Sequence, residues 1–251
     1  MKTTTSCCQP DPVTHSRRTL LGFTLGIAGL GTMSGLGLLA LPARTLGAAL
    51  TKEEREKLTP DQVIELLQRG NERFRTGKME SHDYLAQKQA TAGGQYPAAA
   101  ILSCIDSRAP AEILFDARIG DTFNARIAGN IANDDLLGSL EFACAAAGAK
   151  LVLVMGHTAC GAIKGAIDGV ELGHLTGLLN KIKPAVAATA YTGERSGKNA
   201  TFVDAVAKTN VLQTVGEIRG RSSVLSGLEK DGKIKIVGSM YHLVGGKVEF
   251  L

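Results

Sequence analysis

The chain has 251 residues, a formal net charge of +4, 44% hydrophobic residues and only 4% aromatic residues. It shows neither a run of basic residues nor basic residues interleaved with aromatic ones, so the composition gives no support for nucleic-acid binding. About 200 residues remain once the first 49 are set aside, and that length is enough for one domain with a complete hydrophobic core.

Residues 1–49 are predicted to be a twin-arginine signal peptide. Arg17 and Arg18 precede the uncharged, Gly- and Leu-rich segment Leu20–Leu41, and small residues at 47–49 suit signal-peptidase cleavage. A permanent membrane anchor is the alternative, because about 20 apolar residues can span a bilayer. We expect an exported, periplasmic protein that is free of the membrane after cleavage. Without the leader, the formal charge falls to about +1.

The remaining residues, 50–251, are predicted to form a single domain that begins with a helical arm. Thr59 and Pro60 are typical of a helix start, and this helix ends near Gly77. A second arm helix is predicted over Asp83–Thr91. The apolar stretch Ala98–Ile105 then predicts a buried strand.

Helices and strands alternate along the rest of the chain. The predicted elements are a short helix led by Pro110, a strand over Thr122–Ile127, a helix from Asn133 to Gly148, a strand over Leu151–Met155, a helix from about Cys160, and helical patterns over Gly173–Ala190 and Asp204–Arg219. The end of the chain, Lys233–Val237 and Tyr241–Leu251, is predicted to form a strand, a turn at Gly245 and Gly246, and a strand. This alternation predicts an α/β fold with a mostly parallel central sheet flanked by helices.

Reactive side chains follow two of the predicted strands. Cys104, Asp106 and Arg108 end the first strand, while His157 and Cys160 follow the central one. Ligands bind at the carboxyl ends of the strands in open α/β sheets. Two cysteines and one histidine suit zinc and leave one coordination position open, which is the pattern of catalytic rather than structural zinc sites. Cys144, the other cysteine after the leader, is predicted to lie in the core.

The motif CIDSR, with His157 of GHTACG 53 residues after its cysteine, resembles the β-class carbonic anhydrases. The resemblance extends from about Leu58 to the C-terminal strand and covers nearly all of residues 50–251. It implies one zinc ion per chain, held by Cys104, His157 and Cys160. It also implies that Asp106 and Arg108 form a catalytic dyad that orients a zinc-bound hydroxide for attack on carbon dioxide.

Four further residues match positions around the substrate pocket of that family. Gln95 stands nine residues before Cys104, Phe123 and Phe142 match two aromatic positions, and Asn130 matches a position beside the site. The family often has tyrosine where this chain has Phe142. Both phenylalanines are also compatible with ordinary core positions.

The resemblance further implies a homodimer or homotetramer, with the helical arm embracing the partner. The expected activity is the reversible hydration of carbon dioxide to bicarbonate and a proton. The alternatives are hydrolysis of carbonyl sulfide or carbon disulfide on the same fold and a non-catalytic zinc-binding module. A redox role for Cys104 and Cys160 as a dithiol is disfavoured, because it would leave His157 without a task.

Overall fold

The computed structural model describes residues 49–251 and contains one five-stranded sheet. Its strand order is β2-β1-β3-β4-β5, in which the first four strands are parallel and β5 is antiparallel to β4. The strands are β1 (Ala99–Ser103), β2 (Thr122–Arg126), β3 (Leu151–His157), β4 (Lys235–Tyr241) and β5 (Val248–Phe250). The predicted α/β class with a mostly parallel sheet is confirmed. The predicted leader lies outside the described residues, apart from Ala49.

Ten α-helices surround this sheet in the described part of the chain. They are α1 (Lys52–Lys57), α2 (Pro60–Arg75), α3 (Tyr84–Thr91), α4 (Ala111–Leu114), α5 (Asp134–Glu141), α6 (Gly161–Asp168), α7 (Gly173–Asn180), α8 (Lys183–Ala188), α9 (Ala200–Arg221) and α10 (Ser223–Lys230). None of the helices within residues 49–251 combines the length and the apolarity needed to cross a membrane.

The predicted helix starts are confirmed by their capping bonds. Thr59 and Gln62 form a reciprocal capping box before α2, with Pro60 at the first helical position. Asp83 and Asn133 each accept a backbone N–H at the start of α3 and α5. Each cap satisfies an N–H that has no partner within its own helix.

The hydrophobic core lies in two layers, one on each face of the sheet. Every residue of β3 is buried. Val152 and Val154 pack into the layer beneath α9, whereas Leu151 and Leu153 pack into the opposite layer with the buried residues of α2 and α4. Burial on both faces explains why the central strand has no alternation of polar and apolar residues.

Two predicted helices differ from the structure, and two observed helices were not predicted. The pattern at Gly173–Ala190 forms two helices rather than one, because Pro184 stands at the start of α8 and lacks the N–H that would continue α7. Helix α9 starts at Ala200, four residues earlier than predicted. The short helices α1 and α10 were not predicted.

The strand predicted to end at Val237 continues to Tyr241 as β4. Gly238 lies within this strand, where close packing against α9 requires a residue without a side chain. A Cβ atom at Gly238 would lie 2.7 Å from a methyl carbon of Val211, so glycine allows α9 to approach the sheet closely. The predicted turn at Gly245 and Gly246 is confirmed by φ angles of 81° and 69°.

Candidate metal centre

Three buried side chains converge at the carboxyl ends of the two central strands. Cys104 follows β1, His157 is the last residue of β3, and Cys160 caps the start of α6. Their candidate ligand atoms all lie within 4.8 Å of one another. Strands β1 and β3 are parallel neighbours, so their ends bring together residues that are 53 positions apart in the chain.

The two thiols of this group are not oxidised to a disulfide. The Sγ atoms of Cys104 and Cys160 are 4.0 Å apart. Two sulfurs bound tetrahedrally to zinc at about 2.3 Å would be about 3.8 Å apart. The observed spacing therefore fits two ligands of one zinc ion.

In the absence of metal, the pair of cysteines favours one thiolate, on Cys104, and one protonated thiol, on Cys160. A hydrogen bond from Cys160 lowers the pKa of Cys104 to about 4, against the opposing effect of burial. That same bond, with burial, raises the pKa of Cys160. The backbone N–H of Gly129 also donates to the Cys104 sulfur, at 3.4 Å. The surroundings thus stabilise the thiolate of Cys104, the form of cysteine that binds metals.

The imidazole of His157 is oriented by the backbone beside it. Its Nδ1 lies 2.9 Å from the carbonyl oxygen of Thr158. A carbonyl oxygen only accepts, so Nδ1 carries the proton and Nε2 keeps a free lone pair. Nε2 is buried, and within residues 49–251 no partner lies at ordinary hydrogen-bond geometry from it. A buried acceptor of this kind, beside two thiols, fits a metal ligand.

Asp106 and Arg108 form a bidentate ion pair next to the three candidate ligands. The Nε and Nη2 of Arg108 donate to Oδ1 and Oδ2 of Asp106 at 2.9 and 2.8 Å, and the backbone N–H of Arg108 donates to Oδ1 at 2.9 Å. Oδ2 is 3.8 Å from Nε2 of His157. The bonds from Arg108 hold the pKa of Asp106 well below its usual range. The carboxyl group is therefore ionised at neutral pH.

The loop that carries Cys104 and Asp106 is held by Arg126 at the end of β2. Its Nε donates to the carbonyl oxygen of Cys104 at 2.9 Å, and its Nη2 donates to that of Asp106 at 2.5 Å. The sequence analysis missed this residue. A lone arginine at a strand end carries no pattern that reveals which carbonyl groups it will reach.

Two residues of α9 that were not predicted contact the backbone around the candidate ligands. Asp204 accepts the N–H of Ala159, and Asn210 donates to the carbonyl oxygen of Gly129. Both act across 45 or more residues of sequence, and neither belongs to a recognisable motif.

The four predicted pocket residues occupy different environments. Asn130 is buried in the turn after β2 and has a φ of 43°, and its Nδ2 atom has no hydrogen-bond partner among residues 49–251. Phe123 and Phe142 form an edge-to-face pair with ring centroids 6.1 Å apart. Phe142 is 56% exposed and is not a core residue. Gln95 is exposed in the loop before β1, and no hydrogen bond joins it to the three ligands in the described part of the chain. Their role in a substrate pocket stays a prediction.

Cys144 lies in the core layer beneath α9, as predicted, and is not one of the three converging candidate ligands. Burial raises the pKa of its thiol to about 12. It therefore stays protonated at neutral pH and packs as a small hydrophobic residue.

Comparison with known proteins identifies the family. Residues 99–248 match the family model described as carbonic anhydrase. The chain is 36% identical to carbonic anhydrase 2 of Mycobacterium tuberculosis over 183 residues, which cover 72% of this chain and 87% of that protein. It is 33% identical to a carbonic anhydrase of Mycolicibacterium smegmatis over 185 residues, covering 73% and 89%.

Solved structures share the fold. One of two tetrameric β-carbonic anhydrases of the ascomycete Sordaria macrospora aligns with a TM-score of 0.57 and 25% identity, over 64% of this chain and 83% of that one. A Coccomyxa β-carbonic anhydrase in complex with acetazolamide aligns with a TM-score of 0.60 and 24% identity, over 65% of this chain and 75% of that one.

Proposed function

Because the chain belongs to the β-class carbonic anhydrases and is a carbonate dehydratase, we propose that it hydrates carbon dioxide at a zinc ion held by Cys104, His157 and Cys160. The observation that carries the proposal is the buried set of two thiols and one unpartnered imidazole nitrogen. Three protein ligands leave a fourth position for the reaction. When bound there, zinc supplies a Lewis acid that lowers the pKa of a coordinated water molecule from 15.7 to about 7.

Asp106 is proposed to aim the nucleophile. An ionised carboxylate has about four lone-pair positions and donates nothing. Arg108 occupies two of them on Oδ1 and one on Oδ2. The remaining acceptor position is therefore on Oδ2, the oxygen nearest to His157. We infer that Oδ2 accepts the hydrogen of the attacking water oxygen and directs a lone pair of that oxygen towards the carbon of carbon dioxide.

Arg108 is proposed to act by holding this carboxylate in place. Its guanidinium forms two parallel hydrogen bonds with Asp106, a geometry that fixes the plane of the carboxylate. The arginine thus prevents rotation that would turn Oδ2 away from the ligand cluster.

The test is stopped-flow hydration of carbon dioxide by residues 50–251, with metal content measured on the same sample. We expect fast hydration, about one zinc per chain, and loss of turnover but not of zinc in Asp106→Asn. Cys144→Ser is the matched control among the cysteines and should keep its zinc. A sample that contains zinc but does not hydrate carbon dioxide at pH 7 or pH 9 would overturn the proposal. Carbonyl sulfide and carbon disulfide would then be the next substrates to test.

We also propose that the chain assembles as a homodimer or homotetramer. The aligned Sordaria macrospora proteins are described as tetrameric. Exposed apolar side chains support assembly here, because Leu85 in the arm is 79% exposed and Ile105 beside Asp106 is 61% exposed. Light scattering tests the proposal, and a monomer at micromolar concentration would contradict it.

Export by the twin-arginine route is proposed from residues 1–49 alone. Replacing Arg17 and Arg18 with lysine should retain the protein inside the producing cells. Cell fractionation with an antibody against the chain measures this outcome, and an unchanged periplasmic fraction would refute the proposal.

A further inference from the structure

We propose that α9 positions the metal centre, with Asp204 and Asn210 holding the two turns that shape the ligand set. This inference depends on the proposed zinc function and deepens it. Neither side chain bonds to a ligand atom, so both act through backbone groups. They are positioning residues, and their effect is expected on metal affinity and on thiolate geometry.

Asp204 holds the turn between His157 and Cys160. Its Oδ1 accepts the backbone N–H of Ala159 at 2.9 Å. Ala159 has a φ of 54°, in the left-handed region that an alanine rarely adopts. Because the local preference opposes this conformation, an external bond is needed to maintain it. The backbone conformation of Ala159 therefore determines how the side chain of Cys160 is oriented towards that of His157.

Asn210 holds the turn that contacts Cys104. Its side chain is buried, and its Nδ2 donates to the carbonyl oxygen of Gly129 at 2.8 Å. The N–H of the same glycine donates to the Cys104 sulfur at 3.4 Å. Gly129 has a φ of 69°, and a Cβ atom there would lie 2.5 Å from Ile182. Among the described residues, Gly129 supplies the only backbone N–H from outside the Cys104 loop that bonds to this sulfur. Fixing the carbonyl group of Gly129 therefore helps to hold that bond in place.

Helix α9 is rigid enough to serve as this support. Residues on its inner face, among them Val203, Val206 and Val211, are fully buried against the sheet. Val211 approaches β3 at Gly156, where a Cβ atom would lie 2.5 Å from its methyl carbon. Gly156 immediately precedes His157, so the helix packs tightly next to a ligand. The support for both turns is thus anchored in the core.

A purely structural role predicts a different result from a positioning role. Loss of a stabilising bond lowers the free energy of unfolding without changing how the folded site holds metal. Loss of a positioning bond changes the site itself, and the loss of partners around metal ligands typically costs 10- to 100-fold in metal affinity. Metal affinity and the ligand-field spectrum therefore separate the two roles.

The experiment uses the full-length chain, loaded with zinc for affinity and with cobalt(II) for spectroscopy. Zinc dissociation constants are measured by competition with a chromophoric chelator. We expect Asp204→Ala and Asn210→Ala each to weaken zinc binding by about 10- to 100-fold. Asp204→Asn should bind within about threefold of the unmodified chain, because an amide oxygen still accepts the N–H of Ala159.

The control is Thr209→Val on the same helix. The hydroxyl of Thr209 accepts from Thr189 and donates to Ala205, away from both turns. This variant should bind zinc like the unmodified chain, and its thiolate-to-cobalt charge-transfer band should be unchanged. In Asn210→Ala the same band should shift, because the N–H bond to the Cys104 sulfur loses its support.

Equal zinc affinities and identical spectra in Asp204→Ala and the unmodified chain would overturn the inference. Asp204 is only half-buried, so its alanine variant keeps the test available even if the buried Asn210→Ala variant does not fold. An unmodified chain that shows no thiolate-to-cobalt band would instead refute the proposed zinc function. The two failures are therefore distinguishable.

Discussion

The bidentate pair between Arg108 and Asp106 leads to a prediction about what the arginine contributes. Arg108→Lys keeps the positive charge but replaces two side-chain donors, at 2.9 and 2.8 Å, with one ammonium group. The backbone N–H bond to Oδ1 remains. The carboxylate can then rotate about this one bond, and a displacement of about 1 Å at a reacting group costs roughly 100-fold. We expect kcat to fall about 10- to 100-fold.

The pH dependence of this loss distinguishes orientation from ionisation. An ordinary aspartate has a pKa of about 3.9, so the carboxyl group is ionised at neutral pH even without its arginine. The ratio of the two rates should therefore stay constant from pH 6.5 to pH 9.5 in stopped-flow assays. A variant that regains its activity as pH rises would refute the reasoning, because the arginine would then be acting on protonation.

Arg219→Lys is the matched control for this substitution. Arg219 forms a bidentate pair with Glu229 at 2.7 and 2.8 Å, and its side chain is 45% exposed against 57% for Arg108. The pair joins α9 to α10 and contains no residue of the metal centre. Both lysine variants should lose less than about 1 kcal/mol of stability, since exposed pairs contribute little. Only Arg108→Lys should lose activity.

Three further predictions concern stability and thiol reactivity. Asn71→Ala removes three hydrogen bonds to backbone groups, two of them buried, and should lower the free energy of unfolding by about 3 kcal/mol in urea denaturation. A loss below about 1 kcal/mol would contradict this. Arg219 lowers the pKa of Glu229, so the pair stabilises the fold above the ordinary glutamate pKa of about 4.3 and loses its effect as pH falls through the native value. The unmodified chain should therefore be about 1 kcal/mol more stable than Glu229→Gln at pH 7, and this difference in the free energy of unfolding should vanish towards pH 3. A difference that persists at pH 3 would contradict the assigned role of the ion pair. Burial raises the pKa of the Cys144 thiol to about 12. This thiol should therefore not react with iodoacetamide at pH 8 in the native protein but should react after denaturation, as measured by peptide mass spectrometry. Equal labelling in both states would refute its burial.

The sequence was sufficient to predict which candidate ligands converge, because their spacing coincides with strand ends. Cys104 and His157 end two apolar runs, and parallel strands place such ends at one edge of the sheet. Cys160 follows by local geometry, three residues after His157. These residues are marked by their own chemistry and by their position relative to a strong hydrophobic pattern.

The supporting residues were not predictable because their roles depend on tertiary placement. Asp204 and Asn210 are ordinary polar residues in a long helix, and only the packing of α9 on the sheet shows which backbone groups they reach. The continuation of β4 past Val237 was not predicted for the same reason, since the close contact of Gly238 is with Val211 of that helix. Secondary-structure propensities depend on neighbouring residues in the sequence and carry no information on contacts between distant segments.

The proposed zinc site draws its ligands from distant residues, so metal loading would be coupled to folding. Cys104 and His157 are separated by 53 residues and meet only when β1 and β3 pair in parallel, a non-local step that is slow in folding because a long loop must close first. No short segment of the unfolded chain holds all three ligands, so a metal ion bound by them selects the native state. By mass action, free metal at 100 times its dissociation constant adds about 2.7 kcal/mol to the free energy of unfolding. A chelator would withdraw that stabilisation, so the thermal midpoint of this protein would report the concentration of free metal around it.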